Sequence, residues 1–196
     1  MRNHSALCAA STASILAAGM ALATPCSAAS YVIDEKHTEV RFACSIGLGT
    51  QRGRFTGVAG RVEYEPASPE RSAVSASIAT ASLQTGEPIM DDTLKGGDFF
   101  NVGVFPRMTF VSRSVRSTGP QTAEMQGDIT LNGVTRPVVL AVSVAPHETQ
   151  LKYSRGRLEF VGRTRIKRSA FNMTAYASMA GDDVDIEIDA ILREAH

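Results

Sequence analysis

The sequence predicts an all-β fold, an eight-stranded antiparallel barrel with a short helical insertion near residues 88–101. Three observations support this prediction. Apolar and polar residues alternate over several segments, turn-forming residues separate those segments, and the alternation stops at one internal stretch. Because successive side chains of a strand point to opposite faces, such alternation indicates strands with one wet face and one dry face around an interior.

The first 29 residues are predicted to be a cleavable signal peptide that lies outside the fold. A weakly basic start, an apolar run over residues 7–23 and small residues before Ser30 are typical of such a segment. A permanent membrane anchor is one alternative, although Ser, Thr and Gly dilute the apolar run. A lipoprotein anchor on Cys26 is another, which the preceding Pro25 disfavours. We therefore expect a secreted protein with one domain over residues 30–196.

The predicted strands appear in order along the rest of the chain. Residues 74–79, 125–131 and 138–144 each place their apolar side chains on one face. In residues 183–192 the even positions are apolar, whereas the odd positions up to 189 are acidic. Asn132-Gly133 lies between two alternating runs and predicts a hairpin. About eight strands at this spacing favour a barrel over a two-domain protein.

Charged residues are balanced, and the formal net charge of the chain is zero. This balance argues against a nucleic-acid partner. Arg163, Arg165 and Lys167 share one face of a predicted strand, where an anion or membrane-surface patch is one interpretation. Pairing with the acidic face of residues 183–189 on the next strand is the simpler one, because it explains both charge runs.

The segment of residues 91–106 interrupts the β pattern. Pro88, Asp91 and Asp92 are typical of the first turn of a helix, and Gly96 is expected to end that helix as a left-handed cap. Phe99, Phe100 and Phe105 follow among glycines. A short helix with an aromatic turn in an all-β chain predicts a lid over an apolar interior, and hence a hydrophobic ligand.

Few residues suggest catalysis or metal binding. Apart from the first 29 residues the histidines are His37, His147 and His196, which lack metal-ligand spacing. No nucleophile elbow, phosphate-binding loop or dinucleotide motif is present in the sequence. We therefore predict neither a metal site nor a cofactor. Cys44 lies on an apolar strand face, which favours packing in the core over a reactive or dimer-forming thiol.

The chain resembles the YceI-like family of polyisoprenoid-binding periplasmic proteins with a lipocalin-like fold. The resemblance covers nearly all of residues 30–196, and the order and spacing of its motifs carry it. These motifs are YVIDEKHTEVRF from Tyr31, GRFTG from Gly53, DDTLKGGDFFNV from Asp91, GDITLNGVTRPV from Gly127, RSAFNM from Arg168 and GDDVDIEI from Gly181.

This resemblance implies a periplasmic barrel whose interior holds an isoprenoid, such as a quinone or its precursor, or a similar amphiphile. The predicted lining is apolar: Phe42, Leu94, Phe99, Phe100, Phe105, Phe110, Ile129, Leu131, Val142, Phe160, Ile186 and Ile188. Asp91 and Arg168 are predicted polar contacts near the mouth. The chain departs from the family where an Arg-Asp-His series gives way to Met90, Asp91 and Asp92, and at Ile46-Gly47, which lacks the usual basic residue and His.

Three alternatives stay open at this stage. The barrel could carry a fatty acid or amide. It could be an enzyme acting on such a lipid, with Asp34 and His37 as the catalytic residues. It could also be a fully packed barrel that serves a membrane complex. Transient membrane contact and a homodimer, through Cys44 or an exposed edge strand, are further expectations.

Overall fold

The alternating segments form strands in the computed structural model, which describes residues 29–144 and 157–195. The predicted signal peptide lies outside these residues, apart from Ala29, as do His147 and His196. The strands and the helix of the described residues are β1 Ala29–Ile33, β2 Glu39–Ile46, β3 Gly49–Phe55, β4 Val58–Tyr64, β5 Ala73–Ala79, β6 Leu83–Gln84, α1 Pro88–Lys95, β7 Arg107–Gly119, β8 Thr122–Leu131, β9 Val134–Val144, β10 Arg157–Lys167 and β11 Ala180–Glu194. Short 3-10 turns lie at Pro69–Arg71, Thr80–Ser82 and Arg168–Phe171.

These segments close into an eight-stranded antiparallel barrel, as predicted. Neighbouring strands follow the order β1-β4-β5-β7-β8-β9-β10-β11, and β11 pairs back with β1. β2 continues β1 along β11 after an interruption at residues 34–38, and β3 continues into β4. β1 and β2 together therefore count as one barrel strand, and so do β3 and β4. β11 is long enough to hold both halves of the first strand, and this pairing seals the barrel.

The inward faces match the alternation of the sequence. Met125, Leu131, Leu140 and Leu192 are buried, whereas the acidic residues of β11 point outward. Asn132 and Gly133 both adopt positive φ, 50° and 75°, between β8 and β9. Two consecutive positive values are what a tight hairpin turn requires. The predicted hairpin is confirmed.

The basic face of β10 pairs with the acidic face of β11. The strand register sets Arg163 opposite Glu187, Arg165 opposite Asp185 and Lys167 opposite Asp183. The closest nitrogen–oxygen distances of these pairs are 2.7, 2.6 and 3.0 Å. The cross-strand interpretation of the charge runs is therefore confirmed, and the alternative of a free basic patch is not needed.

Helix α1 begins as predicted but ends differently. Pro88 occupies its first turn, yet Gly96 has φ −69° and is extended, so the prediction of a left-handed cap there was wrong. The chain reverses at Asn101 instead, where φ is 43°. Phe100 N–H donates to Leu94 O at 3.0 Å, and Val102 N–H donates to Lys95 O at 3.1 Å. The aromatic turn itself thus satisfies the last carbonyls of the helix.

Candidate ligand-binding cavities

The barrel interior contains two apolar cavities, one towards each end. The helix-end cavity, of about 390 Å³, lies beneath α1, the aromatic turn and the loop that follows β10. The turn-end cavity, of about 210 Å³, lies beneath the connections from β4 to β5 and from β7 to β8. Their walls are mostly aliphatic and aromatic, which suits an apolar ligand.

The two cavities meet at a common waist. Five residues line both of them: Val40, Ile78, Phe110, Leu140 and Ile188. The Phe110 ring lies over Gly127 of the adjacent strand, where a Cβ atom would come 2.5 Å from the ring. The missing side chain of Gly127 thus lets the ring lie flat at the waist. A rotation of this ring would widen or narrow the passage between the cavities.

Aromatic side chains close much of the helix end. Phe100 packs edge-on against Phe55 with ring centroids 5.2 Å apart, and Phe99 stacks on Tyr176 at 6.0 Å. Hydrogen bonds to the end of α1 hold both phenylalanines in place. The segment of residues 91–106 therefore lies across this cavity, where a lid was expected.

Arg168 is a buried charge in the wall of the helix-end cavity. It is 6% exposed. Its guanidinium donates to four carbonyl oxygens, those of Met173, Ala175, Ala180 and Gly181, at 2.7 to 3.1 Å. These carbonyls belong to the loop before β11 and to its first residues. Arg168 therefore organises this loop, and it places a positive charge beside an otherwise apolar cavity.

Cys44 lies beside Arg168 on the inward face of β2. Its Sγ is 3.2 Å from Gly181 O, the carbonyl that also accepts from Arg168 Nε. Burial raises the pKa of the Cys44 thiol, although the charge of Arg168 opposes this effect. The inward face was predicted correctly, but the thiol lines the helix-end cavity and is only half-buried. A raised pKa disfavours the reactive thiolate.

Most of the predicted lining residues line a cavity. The helix-end cavity contains Phe42, Leu94, Phe99, Phe100, Phe110, Ile129, Leu131, Ile186, Ile188 and Arg168. Val142 and Phe160 line the turn-end cavity, together with Phe110 and Ile188. Whether each of them contacts a ligand stays a prediction.

Phe105 and Asp91 lie outside both cavity walls. The ring of Phe105 packs over Gly133 in the β8–β9 turn, where a Cβ would be 2.7 Å from it. Asp91 Oδ1 accepts hydrogen bonds of 2.6 Å from both the backbone N–H and the hydroxyl of Thr85. These bonds lower the pKa of Asp91 and tie α1 to the end of β6. One carboxylate oxygen of Asp91 is therefore engaged by Thr85, and its predicted contact with a ligand stays a prediction.

Asp34 and His37 lie outside the cavity walls too. Asp34 is 3% exposed, and its Oδ2 is 3.0 Å from His37 Nδ1, 3.3 Å from Arg157 and 3.2 Å from Arg193. Burial by itself would raise the pKa of Asp34, but hydrogen bonds from His37 and Lys36 N–H lower it. The cluster joins the ends of β1, β10 and β11. Its geometry is that of an anchor at the barrel seam.

Several lining residues escaped the sequence interpretation. Tyr176 and Met179 come from the loop before β11, and Tyr64, Pro66 and Pro69 come from the turn end. Apart from Tyr64, which is the last residue of β4, these positions lie outside strands, where no periodicity of two marks an inward face. The one available signal was composition, since residues 172–181 are free of charged side chains.

Within residues 29–144 and 157–195, no three His, Cys, Asp or Glu side chains form a group that could hold a metal ion.

Comparison with known proteins gives consistent matches. Residues 31–192 match the family model described as the YceI-like domain. A UPF0312 protein of Ectopseudomonas mendocina is 37% identical over 162 residues, which cover 81% of this chain and 84% of that protein. The crystal structure of BcnA from Burkholderia cenocepacia has a TM-score of 0.73 at 25% identity, and the match covers 81% of this chain and 98% of BcnA.

A third match has a more distant sequence. The structure of a polyisoprenoid binding domain from Saccharophagus degradans, implicated in plant cell wall breakdown, has a TM-score of 0.66 at 13% identity. That match covers 86% of this chain and 99% of that domain. At this identity the two proteins share a fold.

No helix of the described residues is long and apolar enough to cross a membrane.

Proposed function

This chain belongs to the YceI-like domain family, and on that premise we propose that it binds a long isoprenoid lipid inside its barrel. One observation carries the proposal: two apolar cavities lie end to end and share a waist at Phe110. An elongated, flexible chain fits such a space better than a compact molecule does. The polyisoprenoid-binding domain of the same fold supports this ligand class.

The physical chemistry of such a ligand calls for a carrier. Each methylene-sized group gains about 0.8 kcal/mol on leaving water, so a long prenyl chain hardly exists free in solution. Net affinity is much smaller than the summed gain, because association and ordering cost free energy. A barrel with an apolar interior and a charged outer wall would keep the chain soluble between membranes. We propose that it does so in the periplasm, after cleavage of the signal peptide.

The polar end of the ligand is assigned to the helix-end cavity. Arg168 supplies its one buried positive charge among the described residues, and four of the five guanidinium N–H groups are bonded to carbonyls. The remaining N–H is available to an oxygen of the ligand. Met90 lines the same cavity wall, and its side chain offers no N–H or O–H donor to the polar end of the ligand.

The contents of the protein as isolated from its native cells test this proposal. Extraction under denaturing conditions followed by mass spectrometry should release about one isoprenoid lipid per chain. A fatty acid or amide would instead support the alternative carrier. A protein that yields no lipid and binds no added prenyl alcohol would overturn the proposal. Turnover of an added lipid is not expected, because neither Asp34 nor His37 lines a cavity wall.

A matched pair of substitutions tests the use of both cavities. Ala190 lines the turn-end cavity, whereas Ala141 lies exposed on the outer wall of β9. Ala190→Phe should fill the turn-end cavity and shift the bound lipids towards shorter chains. Ala141→Phe adds the same side chain outside the barrel and should leave the lipids unchanged. Equal lipid profiles in the two variants would argue that the ligand does not reach the turn end.

A further inference from the structure

Exposed apolar side chains are concentrated at one end of the barrel. Seven large hydrophobic residues of the described chain are well exposed: Leu48, Ile89, Val104, Val111, Val139, Tyr176 and Met179. Only Val111 and Val139 among them lie within barrel strands. The other five lie on the segments around the helix-end cavity. Concentrated exposure of this kind marks an interaction surface, whereas scattered single residues do not.

The helix-end rim, defined here as Leu48, Ile89, Tyr176 and Met179, is continuous with the cavity. Tyr176 and Met179 both line the cavity and face the solvent. The tip of the β2–β3 hairpin contacts the same loop, because Gly47 N–H donates to Met179 O at 2.8 Å. Gly47 has φ 52° and so starts a tight two-residue turn whose second residue is Leu48. That turn places a fully exposed leucine at the tip.

Three segments around the rim carry no charge, whereas α1, which carries Ile89, has exposed Glu87 and Asp92 beside that residue. Residues 45–51, 99–106 and 172–181 contain no Asp, Glu, Lys, Arg or His. The turn end differs, since residues 65–72 contain Glu65, Glu70 and Arg71, and Arg116 and Glu124 flank the β7–β8 turn. A charged side chain is costly to bring into the apolar part of a bilayer, whereas uncharged tips with Leu, Met and Tyr are suited to its interface.

We propose that the helix-end rim docks on a lipid bilayer and sets the mouth of the cavity against the membrane. A bilayer accepts apolar tips that project from separate loops, and it needs no complementary shape. The choice of a bilayer as the occupant rests on the proposed function, because a membrane is where an isoprenoid ligand resides. Since the three rim loops are uncharged and the exposed charges beside Ile89 are acidic, docking depends on apolar insertion and does not require anionic lipids.

Flotation with neutral phosphatidylcholine vesicles tests the docking surface. The protein is used as isolated from its native cells, and mass spectrometry verifies that all variants have the same N terminus. The unaltered protein should float with the vesicles, in high salt as in low salt. The double substitution Leu48→Ser and Ile89→Ser should lower the vesicle partition coefficient by about tenfold or more, because two exposed apolar side chains that would insert into the bilayer are lost.

The matched control is Val111→Ser with Val139→Ser, which removes two exposed apolar residues from the barrel wall. This double variant should float with the vesicles to the same extent as the unaltered protein. A comparable loss in both double variants, or full flotation of the rim variant, would overturn the proposal. A rim that joins two copies of the chain would also overturn it. In that case sedimentation would show a dimer for the unaltered protein and a monomer for the rim variant, and neither protein would float.

Lipid content, measured on the same preparations, separates this proposal from the proposed function. The rim variant should retain its bound lipid, because neither Leu48 nor Ile89 lines a cavity wall. A protein that floats but contains no lipid and binds none would refute the proposed function and leave docking intact. A lipid-loaded protein that does not float would refute docking alone.

Discussion

The two ends of the barrel are built from different chemistry. The turn end is closed by tight turns and ion pairs, such as Arg71 with the buried Glu65 and Arg116 with Glu124 at 2.5 Å. The helix end is closed by a short helix, aromatic rings and an uncharged loop. Its one buried charge among the described residues, Arg168, bonds to carbonyls and not to a carboxylate. The turn end is therefore held by charge pairs, whereas the helix end is held by apolar packing and by hydrogen bonds to carbonyls.

The two ends also differ in what they contribute, since contacts between strands stabilise the barrel and the helix end gives access to its interior. The seam around Asp34 joins strands that are distant in sequence, and the charge ladder joins the consecutive strands β10 and β11. The helix end depends instead on packing and on backbone hydrogen bonds of loops. Loop segments of this kind open at lower free energy than paired strands do. A ligand would therefore enter through the helix end.

The largest effect is expected at Arg168. Arg168→Ala leaves four carbonyl oxygens of the helix-end loop without their donor and should lower the free energy of unfolding by about 3 kcal/mol. Urea denaturation of the variant measures this loss. Bound lipid should be lost at the same time, because the loop forms part of the cavity wall. A variant with unchanged stability and full lipid content would show that the loop holds its shape without the guanidinium.

The second effect concerns the seam and its response to pH. Asp34→Asn should cost about 2 kcal/mol at neutral pH, because a buried carboxylate that pairs with Arg157 and Arg193 and bonds to His37 is lost. The pKa of Asp34 is lowered in the folded state. Its stabilising contribution is therefore present above the ordinary carboxyl pKa of about 3.9 and is lost as the pH falls through the lower folded value.

Urea unfolding of both proteins at pH 7 and at pH 3 measures this dependence. The difference in stability between the unaltered protein and Asp34→Asn should shrink at the lower pH. A difference that stays constant would assign the loss to the shape of the side chain and not to its charge.

The third effect concerns the waist that separates the two ends. A Cβ on Gly127 would meet the Phe110 ring at 2.5 Å and Val111 O at 2.6 Å. Gly127→Ala should therefore displace the ring and cost about 1 to 2 kcal/mol. Gly162→Ala is the control, because its Cβ would find its nearest neighbour at 3.5 Å. The midpoint temperature of thermal unfolding should be clearly lower for Gly127→Ala than for Gly162→Ala. Equal midpoints would show that the waist is not tightly packed.

The smallest effect is expected for the outer charge ladder. Arg165 pairs with Asp185 at 2.6 Å, but both side chains are largely exposed. Arg165→Ala should change the unfolding midpoint far less than Arg168→Ala does, and raised salt should shrink the change further. These two arginines lie three residues apart, so they compare exposed and buried charges in one segment. A large loss at Arg165 would mean that the ladder, and not the seam, holds β10 to β11.

Local patterns predicted the barrel because they report which face of a strand is dry. The alternation of residues 184–192 placed five apolar side chains inward, and all five line a cavity. The charge runs of β10 and β11 predicted their pairing register for the same reason. Gly96 shows the limit, since the sequence suggested a helix cap there, but the hydrogen bonds of residues 99–102 made the reversal at Asn101 instead.

The candidate site was predicted where it lies on strands and was missed where it lies on loops. Tyr176 and Met179 follow no periodicity, and Phe105 follows the same aromatic pattern as Phe99 yet packs over Gly133 outside the cavity walls. A glycine two strands away decided its position. Such contacts depend on how distant segments meet, which a single strand does not encode.

The sequence by itself determined the strands, their inward faces, the hairpin at Asn132-Gly133 and the pairing of β10 with β11, because each depends on neighbouring residues or on adjacent strands. Tertiary structure alone decided that Asp34 meets Arg157 and Arg193, that Arg168 bonds to four carbonyls, and that Phe110 divides the interior in two. The contacts of Asp34 exist only once the barrel closes, since closure brings the end of β1 beside β11. The contacts of Arg168 and Phe110 join nearer parts of the chain, and they depend on how the loop before β11 folds and how β7 pairs with β8.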